Sequence, residues 1–528
     1  MFGSSNTRIP KTKSVSSVVR VPNQPKPKPL PSVEQQRARR QAVHRNPLPQ
    51  RTSARPSPSS ATASPAPYLS DQHDSSHLQP AKRKPTQQLT PEHVNKLFSS
   101  SSEDSEGHTE EEKCFDENTY KRLKTDHLGD SRRKLRNEEA FSEFDAGNFK
   151  ILHAEDIVFD EEVSQNRIRA SERFSVRVRY PSASQPERFD LIPGKHKIDA
   201  VNEIFEVASI VRDVYLTDKQ AKRFSDPITG VLRPLQQAVN HITTSKQKPT
   251  MALLLDFEAA VKGYNRAIRA FLKSGSLAQN LETMHALPLR AVQFILKQVY
   301  DRAVSPRVDL LKEYKPGSDG VYGELLSKFV SRVLIETKLT SDQVFVDLGS
   351  GVGNVVLQAA LQFGCESWGC EMMPNACELA DKQMAEFRAR CRLWGLQAGE
   401  VHLEKGDFLA NKAIQAAVRR ADVVVVNNKV FSPRTNQRLR DLFLDLKDGC
   451  YIISLESFAV GNNRDEGVQA NLIQNKVHGS FCDGDVSWTS GSGEYFISTK
   501  DTGHLIEIGN AKKERRPVCF QFPYPAAQ

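Results

Sequence analysis

Apolar positions are sparse up to about residue 145 and then fall into ordered patterns. Phe149 to Phe159 and Phe174 to Tyr180, the second reading FSVRVRY, alternate as half-buried strands do. Leu254, Phe257, Val261, Tyr264, Ile268 and Phe271 recur at helical spacing and predict one face of a helix. Leu289, Val292, Ile295, Leu296 and Val299 do the same after Pro288, which suits a first helical turn, and Pro306 ends the pattern. These stripes read as packing faces. From about residue 320 strands and helices alternate. VFVDLG from Val344 is a strand, 354–363 a helix, 367–371 a strand, 375–394 a long helix and 401–408 a strand. Helix 411–419, strand 422–428, helix 433–446 and strand 450–455 follow, and 486–499 reads as two strands around a Gly/Ser turn. The prediction is an open α/β sheet, parallel with an antiparallel pair at its end, preceded by a mainly helical region over 147–315.

Composition separates the rest of the chain. The first 100 of the 528 residues hold 15 of the 29 prolines, with 16 Lys/Arg against 4 Asp/Glu. That +12 exceeds the whole chain's +9, so the remaining 428 residues carry −3. Such a segment cannot bury enough apolar surface to offset chain entropy, and residues 1–146 are expected to be a disordered basic arm that binds nucleic acid. The stretch PKPKPLP at 25–31 should be polyproline II, and 99–117 turns acidic, a spacer by composition. The tail after 505, with KKERRP at 512–517, is basic again. Eight cysteines (Cys114, Cys365, Cys370, Cys377, Cys391, Cys450, Cys482, Cys519) show no paired spacing, so neither a zinc site nor a disulfide framework is expected. No apolar run reaches 18 residues and the N-terminus has no apolar signal core, so no membrane partner is expected. Lys82, Arg83 and Lys84 beside Pro85 form a short nuclear-import-like cluster.

The chemistry concentrates at VFVDLGSGVGN, Val344 to Asn354. Gly349, Gly351 and Gly353 on a strand-to-helix turn let the backbone approach a ligand closely. A phosphate loop would need GK[ST], and Gly353-Asn354-Val355 lacks the Lys. A dinucleotide site prefers GxGxxG, whereas the spacing is GxGxG. S-adenosylmethionine has no phosphate, and Asp347 before the glycines can face its ammonium. Glu371 ends the second strand, where a carboxylate takes ribose hydroxyls. Asp407 ends the third with Phe408 able to stack on adenine, and Asn427 and Asn428 end the fourth. Polar groups after successive strands lie on the carboxyl edge, where such sheets bind ligands, and this register favours a methyltransferase.

VYGELL (321–326), DLGSGVGNVVLQAA (347–360), GCEMM (369–373), NNKVF (427–431) and VSWTSGSGEYFIST (486–499) together resemble the fungal-type disruptor-of-telomeric-silencing family of non-SET histone-lysine methyltransferases. The resemblance covers roughly 290–500. It implies a class I S-adenosylmethionine-dependent methyltransferase domain over 316–505. It also implies methylation of a lysine on the core of histone H3 in the nucleosome, by a nuclear enzyme active in telomeric silencing and checkpoint signalling, and a monomer is expected. By matching positions, Val321, Tyr322, Gly323 and Glu324 belong to a loop closing on the cofactor. Val344, Phe345 and Val346 belong to the cofactor-binding set, and Asp347, Leu348, Gly349, Ser350, Gly351, Val352, Gly353 and Asn354 hold the methionine part, with Gln358 nearby. Glu371 takes the ribose, and Asp407 and Phe408 the adenine. Asn427 and Tyr322 position the reacting groups, while Phe431, Trp488 and Tyr495 line the lysine channel. Lys429 stands where the family has an aromatic residue, and Glu456 where it has a Lys. Two rivals remain: a methyltransferase acting on RNA or another substrate, and a chromatin-binding scaffold that has lost its transferase activity.

Overall fold

The computed structural model describes residues 130–142, 149–157, 173–191, 198–244, 248–313, 320–459 and 472–502. The expected basic arm before residue 130, its polyproline and import-like segments, and the tail after 502 lie outside them. After two 3₁₀ turns (Glu139–Phe141 and Ala154–Asp156) comes a hairpin, β1 (Ser175–Val178) and β2 (Glu187–Asp190), paired antiparallel. Six helices follow: α1 (Ala200–Ile210), α2 (Asp218–Phe224), α3 (Leu232–Thr243), α4 (Met251–Lys273), α5 (Ser276–Glu282) and α6 (Leu289–Ala303). The stripe predicted from Leu254 is the buried face of α4, with Leu254, Phe257, Val261, Tyr264 and Ile268 all in the core. Next come α7 (Ser327–Glu336), β3 (Val344–Leu348), α8 (Asn354–Phe363), β4 (Glu366–Glu371), α9 (Pro374–Trp394) and β5 (Val401–Lys405). The chain continues through α10 (Lys412–Arg420), β6 (Val423–Val426), α11 (Pro433–Phe443), β7 (Tyr451–Ser454), β8 (Ile473–Phe481) and β9 (Gly493–Lys500).

These strands form one seven-stranded sheet in the order β5-β4-β3-β6-β7-β9-β8. The first five run parallel, and β9 enters antiparallel between β7 and β8. Every residue of β3 and β6 is buried, as a central parallel strand covered on both faces requires. Phe345 packs with α7, α8 and the N-terminal helices, while Val344, Val346 and Leu348 pack with α10 and α11 on the other face. The predicted open α/β sheet, parallel with an antiparallel end, is the observed one. The reversal of strand order lies where β3 meets β6, and the carboxyl ends of β3, β4 and β6 open there onto a common edge.

Three local expectations are corrected. Residues 149–157, expected as part of a strand, form none; Ala154–Asp156 is a 3₁₀ turn. The backbone there is held by buried carboxylates instead: Leu152 N–H donates to Glu386 Oε2 at 2.9 Å and Ala154 N–H to Glu187 Oε1 at 3.1 Å. The segment 486–499 does not fold on itself. Its second half is β9, whose partner is β8, a polar segment with no clean alternation; Val486 makes an isolated bridge to Leu325. Residues 130–142, on the arm side of the expected boundary, pack on the domain: Leu135 and Arg133 are buried, and the Arg133 guanidinium donates to the carbonyls of Leu361 and Gln362 at the end of α8.

A buried ion cluster joins the hairpin to the helices that pack on the seven-stranded sheet. Glu187 on β2 is fully buried and accepts from Arg302 on α6 (2.9 Å), Arg390 on α9 (2.7 Å) and the Tyr180 hydroxyl (2.8 Å). Burial alone would raise its carboxyl, but the two guanidiniums hold it down at about 2. No helix among the described residues is long and apolar enough to cross a membrane.

Candidate functional site

The carboxyl edge of the sheet carries a cleft of about 440 Å³. Its floor is the turn between β3 and α8. Gly349, Gly351 and Gly353 hold φ values of 94°, 54° and 91°, a region that disfavours a side chain. The turn is pinned to β4 because Gly349 N–H and Ser350 N–H both donate to Cys370 O, at 3.0 and 3.1 Å. A Cβ on Gly351 would sit 2.9 Å from Tyr322 Cε2, and one on Gly349 would meet Phe431 Cζ at 3.6 Å. The glycines therefore leave room for two aromatic rings as well as for a ligand.

Glu371 at the end of β4 braces this turn, accepting from Gly351 N–H at 2.9 Å and Met373 N–H at 2.6 Å. Each oxygen holds one backbone donor and keeps a lone pair for a ligand hydroxyl. Asp347, at the end of β3, is buried at 4% exposure, with no hydrogen-bond partner among the described residues. Burial, and then the charge of Glu371, raise its carboxyl to about 7. An unpartnered buried acid beside a second carboxylate suits a cationic group. Asp407 Oδ1 accepts from Leu409 N–H at 2.8 Å, which orders the turn after β5, and Phe408 stacks on Phe431 with centroids 6.2 Å apart.

The upper wall is the loop carrying Tyr322, Gly323 and Glu324. Glu324 N–H donates to Ser487 Oγ at 2.8 Å, and Ser487 N–H to Glu324 O at 3.0 Å. The two motifs read separately in sequence are thus one paired structure. The Tyr322 hydroxyl donates to Glu324 Oε1 at 2.6 Å, and Tyr300 on α6 adds a second bond at 3.3 Å. Burial raises both the Glu324 carboxyl and the Tyr322 phenol, so Tyr322 stays a neutral donor. Asn427, after β6, closes the wall by donating Nδ2–H to Gly323 O at 3.2 Å.

The structure brings together Val321, Tyr322, Gly323, Glu324, Asp347, Gly349, Ser350, Gly351, Asn354, Glu371, Asp407, Phe408, Asn427 and Phe431 as lining. Val344, Phe345, Val346, Leu348 and Val352 sit in the core beneath it, and Gly353 backs onto Leu403. Gln358 turns away and donates to Ser327 O at 2.8 Å. Trp488 packs behind the loop, where a Cβ on Gly323 would come within 2.8 Å of its ring. Tyr495, expected in the lysine channel, is buried against Phe329 and donates to Glu336 Oε1 at 3.3 Å, outside the cleft lining. On β9 its neighbour Phe496 points to the other face and stacks on His478. The lining also includes Met372, Met373, Thr435 and Arg438. The two methionines follow Glu371 directly; Thr435 and Arg438 come from α11, whose start is set by Ser432 capping Thr435 N–H at 3.2 Å, and no sequence motif marked them. The two departures, Lys429 and Glu456, meet as an ion pair at 2.7 Å just outside the lining.

The cleft fits S-adenosylmethionine: two carboxylates for an ammonium and a ribose, a glycine floor, an aromatic pair, and no basic phosphate cradle on the turn. Residues 300–500 match the model of the histone methylation protein DOT1. The H3 lysine-79 specific histone-lysine N-methyltransferase of Gibberella zeae is 47% identical over 375 residues, covering 70% of this chain and 74% of that protein. Its namesake in Aspergillus fumigatus is 43% identical over 385 residues, covering 71% and 74%. Among solved structures, an RNA methyltransferase from Salinibacter ruber in complex with S-adenosyl-L-homocysteine aligns over 33% of this chain and 92% of its own at 22% identity, with a TM-score of 0.23. With three quarters of a protein matched at close to half identity, this chain belongs to the DOT1 family of histone methylation proteins.

Proposed function

We propose that this chain methylates a lysine of histone H3 on the nucleosome surface, using S-adenosylmethionine, in the nucleus and as a monomer. The observation that carries the reading is the meeting, in one cleft, of the Tyr322–Glu324 loop, the glycine turn and Asn427 in a member of this family. Bound cofactor supplies an electrophilic methyl group on a sulfonium. Asp347 and Glu371 provide carboxylates for its ammonium and ribose ends, and Phe408 and Phe431 offer faces that attract a cation. The acceptor amine must be neutral to attack. A lysine with a pKa near 10.4 costs roughly 4–5 kcal/mol to neutralise at pH 7. An apolar approach lowers that cost by desolvating the ammonium. Tyr322 is held neutral, and Asn427 has no titratable group. Neither acts as a base, and both position. Catalysis then rests on alignment of amine and methyl group.

The basic arm fits the same reading. A domain near charge balance has little hold on DNA, whereas 16 Lys/Arg in the first 100 residues would release counterions from phosphates. Telomeric silencing and checkpoint signalling would be downstream consequences of the histone mark. The test is incubation with recombinant nucleosomes, free histone H3 and total RNA in parallel, followed by mass spectrometry. Methylated H3 in nucleosomes is the expected result. Methylated RNA alone would establish the rival substrate, and no product with any acceptor would establish a scaffold.

A further inference from the structure

The segment leaving β6 bears two cleft contacts. Asn427 holds Gly323 O, and Phe431 lies over Gly349 and stacks on Phe408. Between them, Asn428 is 1% exposed and uses its whole amide. Its Oδ1 accepts from Leu455 N–H at 3.0 Å and Glu456 N–H at 2.9 Å, both at the exit of β7. Its Nδ2 donates to Glu456 O at 3.1 Å and to Asn436 Oδ1 at 3.2 Å. Its carbonyl accepts from Phe431 N–H at 3.3 Å. Lys429 and Glu456 then close the outer side of this joint as an ion pair, 41% and 49% exposed at the side chain.

We propose that Asn428 is a positioning residue for the cofactor site: it clasps the β6 exit to the β7 exit and so sets where Asn427 and Phe431 stand over the glycine turn. The Lys429–Glu456 pair is the outer latch of the same clasp, and the two departures from the family pattern are one coupled feature. The proposal rests on the reading of the cleft as a cofactor site. The contributions differ in size for a physical reason. Truncating Asn428 strands the buried Leu455 N–H and the part-buried Glu456 N–H, whereas an exposed ion pair contributes little.

The test is calorimetric binding of S-adenosylhomocysteine to the full chain. Asn428→Ala should raise Kd tenfold or more. Asn428→Asp, which keeps the acceptor for Leu455 and Glu456, should recover part of that loss. Asn436→Ala removes a single bond on the far side and should leave Kd within twofold of wild type. Lys429→Glu and Glu456→Lys should each weaken binding by about threefold, and the double exchange should restore it. An Asn428→Ala protein that melts like wild type and binds with unchanged Kd overturns the proposal. Should that variant not fold, hydrogen exchange on the wild-type protein decides. Ligand should slow exchange at Leu455 and Glu456, neither of which lines the cleft, and unchanged exchange there overturns it. Wild-type protein that fails to bind S-adenosylhomocysteine would instead sink the cofactor reading itself.

Discussion

Asp347 offers a two-sided measurement. Its carboxyl titrates near 7 in the ligand-free cleft, while a cationic ligand group beside it requires the carboxylate. Below pH 7 the protein must lose a proton to bind. With the bound-state value well below 5.5, affinity at pH 5.5 should be about 25-fold weaker than at pH 7.5, approaching tenfold per pH unit. The window stops at 7.5 because a ligand α-amino group loses its own proton near 8. Calorimetry in two buffers of different ionisation heat would read close to one proton released per ligand at pH 5.5. Asp347→Asn should bind weakly with no such slope. The same group acts oppositely on folding. Because its folded pKa is raised, its stabilising contribution is full below about 4 and is lost as pH rises through 7. At pH 8, Asp347→Asn should therefore stabilise the ligand-free protein, by up to about 4 kcal/mol for three units of displacement. A wild-type Kd flat from pH 5.5 to 7.5 would refute both the buried acid and its pairing with a cation.

Other substitutions probe separate parts of the argument. Gly351→Arg should abolish cofactor binding, since even a Cβ meets the Tyr322 ring at 2.9 Å and φ is 54° there; normal affinity by calorimetry would remove the turn from the site. Glu187→Ala leaves Arg302 short of a partner and Arg390 half-paired in the interior, and should cost about 3–5 kcal/mol in urea unfolding; a loss under 1 would mean the cluster is not energetically coupled. Deleting residues 1–129 should weaken nucleosome binding most at low salt and flatten its salt dependence, read by gel shift across a salt series, while leaving S-adenosylhomocysteine affinity unchanged.

How much of this was legible beforehand depended on burial. β3 and β6 are covered on both faces, so VFV and VVVV announced themselves as continuous apolar runs. The hairpin strand β2 reads ERFD, and its acids are tolerable only because distant arginines meet Glu187 in the interior; no local pattern carries that information. β8 is an edge strand with solvated polar positions, which hid it and misassigned the partner of β9. In the site, the residues on the glycine turn and at strand ends were readable because connectivity places them on one edge. Tyr495 was not, because strand alternation turns it to the core face. Thr435 and Arg438 come to the cleft through the geometry of α11 alone.

The buried Glu187 cluster also bears on how the catalytic unit can be divided. The family match begins at residue 300, inside α6, yet Arg302 and Arg390 within it are neutralised by Glu187 and Glu203 from before that point. A fragment cut at 300 would keep the cofactor cleft on paper and leave Arg302 buried with neither acid. The methyl-transfer sheet is therefore not a portable module. Its N-terminal hairpin and helices are inherited with it as a single cooperative body, and a useful fragment includes residues 130–142, which dock through Arg133 onto α8.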